Sequence, residues 1–385
     1  MTLRGPARRL AGPGEPRPWR TPADTATVGA PMSPRDLTDV RLAELQAWCV
    51  AAGEPAWRAE QVLAWVHRCG ARGFDEMTNV SRAFRAKLAE AFTLGGLEPA
   101  LVAEARDGTR KLVFHLPPVQ ARPAAIESVL IPQTDRPDGA RDRLTLCISC
   151  QAGCGMGCTF CATARLGLVR NLRAGEIVGQ VRAGIAAAAP RAITNVVLMG
   201  MGEPLANYDA VVSALDILTA PWGHAISPRR ITVSTVGLAP AIPRFIADTH
   251  VNLAVSLHAP TDAQRERLVP LARRHPLAAL LGACRAVPLP RRQRITFEYV
   301  MLAGENDADA DAHALARLLR GLRAKVNLIP FNPFPGASVL PSPRPRILRF
   351  QQILRQHHLH ATIRESRGQD IQAACGQLAA ARPAA

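Results

Sequence analysis

Apolar residues recur at three- and four-residue intervals from about Asp36 to Leu97. In "DLTDVRLAELQAWCVAAG" and "WRAEQVLAWVHRCG" the pattern stops at glycine, a common helix terminator, and "SRAFRAKLAEAF" repeats the period. The spacing predicts a small all-α unit over residues 35–98. From about Ala100 to Arg141 the texture changes. "RKLVFHL" and "AIESVLIP" are short, apolar and separated by proline-rich turns, which predicts a β segment over 99–141. Beyond it, strand-like runs alternate with amphipathic ones. The strands are expected at "RLTLCIS" (143–149), "NVVLMG" (195–200), "RITVSTV" (230–236), "VNLAVSLH" (251–258), "ITFEYVML" (295–302) and "KVNLIPF" (325–331). Stretches such as "AGEIVGQVRAGIAAA" and "YDAVVSALDILTA" lie between them. Such a series makes an α/β fold with a parallel sheet and right-handed crossovers. Six units suit an open (βα)6 partial barrel better than a closed eightfold one, and chemistry belongs at the carboxyl ends of its strands. A helix, "PRILRFQQILRQHH", and a last segment, "ATIRESRGQDIQAACGQL", complete a core unit over 142–380.

Charge narrows the partners. Lys plus Arg total 47 against 31 Asp plus Glu, a net charge of +16. That balance points to a polyanion, nucleic acid before a membrane surface. No apolar run reaches the length of a membrane span. The first 34 residues, rich in Pro, Gly, Arg and Ala, lack the apolar stretch of a secretory signal. They read as a disordered basic arm or a dispensable extension. Nine cysteines, an odd number with five of them inside residues 147–161, argue for working thiols in a reducing, cytoplasmic setting and against a disulfide framework. Cys49, Cys69 and Cys284 sit in helical patterns and are expected to be buried small hydrophobes.

"CGMGCTFC" sets Cys154, Cys158 and Cys161 at C-x3-C-x2-C spacing. A structural zinc ion wants four ligands. Three thiolates suit a [4Fe–4S] cluster with one iron left for a small molecule, the arrangement of radical S-adenosylmethionine (SAM) enzymes. A zinc reading that adds Cys147 and Cys150 stands as the alternative, although it leaves Cys154 unexplained. The motif follows the first core strand directly. Further polar positions fall at later strand ends: Gly202 and Glu203 in "LMGMGEP", then Ser234, then Ser256, Leu257 and His258, and Asn332 in "FNPFPG". Singly each is a cap or turn former. Converging on one rim, they are candidates to hold SAM.

"TLCISCQAGCGMGCTFCATARLGLVRNL", "VVLMGMGEPLANY", "ITVSTVGLAPAI", "LAVSLHAPTD", "KVNLIPFNPFPG" and "DIQAACGQL" together resemble the RlmN/Cfr family of radical SAM RNA methyltransferases. "WRAEQVLAWVH" and "FDEMTNVSRAFRAKL" resemble the helical accessory domain of its RlmN branch. The resemblance runs from about residue 36 to 380. It implies methylation of adenine C2, at adenosine 2503 of 23S ribosomal RNA and at adenosine 37 of transfer RNAs, with two SAM molecules per turnover. It also implies that Cys375 carries the incoming methyl group as a thioether, and that Cys147 releases the RNA by a transient disulfide with Cys375. Glu127 matches a glutamate assigned as proton acceptor, a role Cys147 could fill instead. A flavodoxin-type electron donor and a monomeric state go with the family. Cys150 stands where serine is expected, and Leu168 replaces an aromatic residue. A C8 methyltransferase shares the cluster motif, the ligand residues and both thiols, while the accessory-domain match favours C2; a noncatalytic metal-stabilised RNA-binding protein is the alternative from another class. With ten Phe, five Trp and two Tyr, RNA recognition is expected to rest on Arg and Lys contacts to phosphate and on an unpaired adenosine.

Overall fold

A computed structural model describes residues 34–133, 143–291 and 293–379. The basic arm expected over residues 1–34 lies outside them except for its last residue. Three helices open the chain: α1 (Leu42–Ala51), α2 (Arg58–Ala64) and α3 (Arg82–Ala91). The pattern read as one helix from Trp57 becomes α2 followed by a π turn, Trp65–Cys69, which ends at left-handed Gly70. Ser81 caps α3 by accepting the Phe84 N–H at 3.2 Å. Leu45, Val62, Leu63, Phe84 and Leu88 form the centre of this unit's own core. Cys69 is exposed, contrary to the expectation of a buried thiol, because the π turn ends at the surface. Cys49 and Cys284 are buried.

Three antiparallel strands follow, β1 (Leu101–Glu104), β2 (Arg110–Val119) and β3 (Arg122–Gln133). They are longer than the expected runs. The β2–β3 pair continues past Pro117, Pro118 and Pro123 through a register shift between Leu116 and Val119. It reverses at Gln120 and Ala121, both at positive φ (49° and 61°), the backbone of a two-residue hairpin turn.

The core runs β4 (Arg143–Cys147), a small hairpin of β5 (Gln151–Gly153) and β6 (Leu168–Asn171), α4 (Ala174–Ala188), β7 (Asn195–Leu198) and α5 (Tyr208–Thr219). Next come β8 (Ile231–Thr235), α6 (Ile242–Thr249), β9 (Asn252–Ser256), α7 (Asp262–Leu268) and α8 (Leu277–Ala286). The series ends with β10 (Ile295–Met301), α9 (Asp309–Leu318), β11 (Ala324–Pro330), α10 (Arg344–Gln356) and a short β12 (Ala361–Ile363). One ten-stranded sheet has the order β12-β11-β10-β9-β8-β7-β4-β3-β2-β1. Every pairing from β4 to β12 in this order is parallel. Six βα units in sequential order make the open barrel that the alternation predicts. β3 pairs antiparallel with β4, Val129 opposite Cys147, so the β segment extends the core sheet. The last strand, β12, falls in a stretch with no sequence expectation of a strand, because three residues are too few to show a period.

The helical unit docks on the outer layer of core helices. Asp39 accepts the Gly175 N–H at 2.7 Å in the first turn of α4 and pairs with Arg173, an anion placed at a helix N-terminus. Trp222, after α5, packs against both hydrophobic cores, with the buried His67 ring 6.0 Å away.

Candidate active site

The carboxyl ends of β7 to β11 surround a cavity of about 150 Å3. The hairpin β5–β6 carries the thiol loop onto it. Cys154 N–H donates to Gly167 O at 3.0 Å, closing the loop at its base. Gly153 must be glycine there: its φ is +72°, and a Cβ would stand 1.9 Å from Gly167 O. At the far end, Ala162 N–H donates to Gly376 O at 2.8 Å, fastening the loop to the C-terminal tail.

Cys154, Cys158 and Cys161 all line the cavity. Burial pushes the Cys154 thiol up to about 12 and raises Cys158 and Cys161 as well; a charge on Cys161 would push Cys154 and Cys158 further, and a charge on Cys375 would push Cys161 further. Three thiolates there need a cationic group to stay ionised. Among the described residues no three His, Cys, Asp or Glu side chains are close enough to share a single metal ion. Three separated thiols around one cavity fit a cluster that offers one iron to each.

The facing wall is polar. Glu203 is buried, and its carboxylate accepts the Val236 N–H at 2.8 Å and the Leu205 N–H at 3.0 Å. Burial lifts it to about 7 against those hydrogen bonds. The Ser234 and Ser256 hydroxyls lie 3.4 Å apart. Burial pushes His258 down to about 3, with the Arg265 charge adding to the effect. Its Nδ1 accepts the Val300 N–H at 3.1 Å, so the neutral ring carries its proton on Nε2. Gly202, at φ +103°, lets the backbone pass where a Cβ would come within 2.6 Å of Gln151. Leu257 departs from the expectation. Its side chain is fully buried in the hydrophobic core, because strand alternation turns it away from Ser256. Its carbonyl accepts Arg265 Nε at 3.2 Å.

Asn332 lines the cavity and also fixes the tail: its Nδ2 donates to Cys375 O at 3.1 Å, while its Oδ1 accepts Gln369 Nε2 at 2.8 Å. Cys375 therefore stands in the same cavity as the three loop thiols. Cys147 does not line it. A second cavity of about 100 Å3 brings Cys147 and Cys375 together, between β3 and the tail. Burial pushes Cys147 up to about 12, a charge on Cys375 would push it further, and Arg364 opposes both. Glu127 lines neither cavity. It is buried, 3.1 Å from Lys111 Nζ, and its carboxylate accepts the Ala379 N–H at 3.1 Å, so in this structure it anchors the tail beyond Cys375. Cys150 is buried apart from both cavities, with its thiol 3.7 Å from Met201 O.

Two charged residues escaped the sequence reading. Glu298, buried on β10, lines the first cavity and accepts Asn327 Nδ2 at 2.8 Å. Arg364, just after β12, lines both cavities, and the charges it meets are those of Cys375, Glu298 and Cys147. A lone charge inside the apolar run "ITFEYVML" was the available signal for Glu298.

Fold and site together define a radical SAM protein. Residues 148–316 match the radical SAM superfamily, and residues 35–94 match the ribosomal RNA large subunit methyltransferase N-terminal domain. The dual-specificity RNA methyltransferase RlmN of Anaeromyxobacter dehalogenans is 48% identical over 353 residues, covering 90% of this chain and 91% of that protein. That of Halorhodospira halophila is 48% identical over 346 residues, covering 90% and 93%. A radical SAM methyltransferase from Sphaerobacter thermophilus, solved by crystallography, superposes with a TM-score of 0.81 at 47% identity, covering 90% of this chain and all of that one. The chain belongs to the RlmN family.

Proposed function

We propose that this chain methylates C2 of adenine in 23S ribosomal RNA and in transfer RNA, using Cys375 and Cys147 as a pair of working thiols. The observation that carries the reading is that Cys375 borders both cavities, with the loop triad on one side and Cys147 on the other. Cys154, Cys158 and Cys161 would hold the [4Fe–4S] cluster, and Gly202, Glu203, Ser234, Ser256, the Leu257 backbone, His258 and Asn332 would hold SAM. When bound, the two supply an electrophilic methyl group and an organic radical.

The protein's own part is thiol chemistry. Cys375 holds the transferred carbon as a thioether, facing the cavity and kept there by Asn332 and by the Ala162–Gly376 hydrogen bond. After that carbon joins the base, the Cys147 thiolate attacks the Cys375 sulfur. A sulfur–sulfur bond forms, the sulfur–carbon bond breaks, and its electron pair stays on the departing carbon, which takes up a proton from water to become the methyl group. A two-electron reductant then restores both thiols. Neutral His258 and the hydrogen-bonded Glu203 present donors and acceptors at fixed positions. Proton removal from C2 falls to Cys147 or Glu127, and the placement of Glu127 outside both cavities favours Cys147.

The +16 charge supports an RNA partner. No helix among the described residues is long and apolar enough to cross a membrane. The enzyme works in the cytoplasm as a monomer and takes electrons from a flavodoxin-type donor. The test is anaerobic turnover with methyl-labelled SAM on bulk RNA, followed by nuclease digestion against 2-methyl- and 8-methyladenosine standards. Label is expected in 2-methyladenosine with wild type and absent with Cys375→Ala. Label unchanged in the variant, or found in 8-methyladenosine, overturns the reading.

A further inference from the structure

The thiol loop has two faces. Cys154 and Cys158 are buried and border the first cavity, while Gly155, Gly157 and Thr159, between and beside them, are exposed. At Gly155 and Gly157 no side chain stands between the loop backbone and solvent. A neighbouring segment is fastened along the outer edge: Thr159 N–H donates to Leu268 O at 3.1 Å, and a Cβ on Gly157 would touch Pro270 at 3.5 Å. That segment exposes Arg267, Arg273 and Arg274, against the half-buried Glu266. Arg267 stands 3.8 Å from exposed Glu305, a weak pairing. Arg273 and Arg274 have no ion-pair partner among the described residues. The entrance to Cys147 is elsewhere, in the second cavity, whose walls include none of these residues.

We propose that this arginine-edged outer face of the thiol loop is the docking surface for the electron donor, an acidic protein of the flavodoxin type. The inference rests on the radical SAM reading. Short glycine backbone gives a donor's flavin close access to the triad, and unpartnered arginines attract an acidic rim and steer its approach. One electron leaves the donor's reduced flavin and enters the cluster, and no bond is made or broken in that transfer.

The experiment uses cluster-loaded enzyme and a purified acidic flavodoxin. Its dissociation constant is measured by titration at low and high salt. Methylation of bulk RNA is then driven by reduced flavodoxin or by dithionite. For the double variant Arg273→Glu, Arg274→Glu, flavodoxin affinity is expected to fall by about tenfold or more at low salt, with a matching loss of flavodoxin-driven rate. Dithionite-driven rate, iron content and RNA affinity are expected to stay within about twofold, since rim charges act on encounter. The Arg→Lys pair is expected to restore donor binding. Unchanged flavodoxin affinity overturns the proposal. A parallel loss of RNA affinity and dithionite-driven rate also overturns it and assigns the face to RNA. Failure of the wild type to methylate RNA with dithionite overturns the functional reading alone, because donor binding is read separately by titration.

Discussion

Single residues set the chemistry here through what they touch. Gly153 is the clearest case, since its hydrogen occupies the only space left by Gly167 O. Gly153→Ala is expected to open the base of the thiol loop and lower iron per chain after reconstitution by half or more, while far-ultraviolet circular dichroism is unchanged. Full loading in that variant would show that the approach is dispensable. Cys147→Ala is expected to trap RNA covalently on Cys375, visible as a retarded band on denaturing gels, because no second thiol remains to break the sulfur–carbon bond. The loop triad was legible from its C-x3-C-x2-C spacing, whereas Cys147 and Cys375 stood out only through the family resemblance, because a single thiol carries no pattern of its own. Arg364 and Glu298 were not legible. Each is an ordinary charged residue until the sheet places it beside the sulfurs. The Leu257 side chain is the opposite case: its neighbours Ser256 and His258 carried it into the candidate set, and strand alternation turned it into the core.

Among the elements, the six βα units were readable because each repeats a period over enough residues to register. β2 and β3 were underestimated because prolines looked like boundaries, whereas a register shift carries the pairing past them. The tail was unreadable as structure. It has no period, and side chains from far along the chain hold it: Thr163 donates to Leu378 O at 2.6 Å, Gln377 to Pro333 O at 2.7 Å, and Glu127 accepts from Ala379. The Lys111–Glu127 pair is the innermost of these anchors, with both side chains largely buried. Lys111→Met leaves a buried carboxylate without its counterion and is expected to lower stability by about 3 kcal/mol, read from urea unfolding. Lys111→Met with Glu127→Gln is expected to recover most of that loss, because the uncompensated charge is gone.

At the scale of the whole molecule, the buried imidazoles tie stability to acidity. Burial holds His67 and His258 at about 3 and His224 at about 4, all below the usual 6.5. Above pH 6.5 they are neutral in both states and stability is at its full value. Below it, the unfolded chain takes up protons that the native chain refuses. Stability is therefore lost as the pH falls from 6.5 toward 4, by about 1–2 kcal/mol for each fully buried ring between pH 6.5 and 5. Urea midpoints at pH 7 and pH 5 check this, and His67→Phe is expected to shrink the difference. The +16 charge makes a second expectation: RNA affinity falls steeply and log-linearly with salt, and a flat salt dependence would remove phosphate contacts as the basis of binding. The two sulfurs proposed to work as a pair are mounted differently on this frame. Cys147 belongs to an interior strand, locked in register to Val129 on one side and Val197 on the other. Cys375 rides on a ribbon with no strand of its own, secured by hydrogen bonds that can exchange one at a time. Any movement that the proposed thiol cycle requires would therefore fall to Cys375: the strand-borne sulfur is fixed by its register, and the tail is the part whose hydrogen bonds can be exchanged singly.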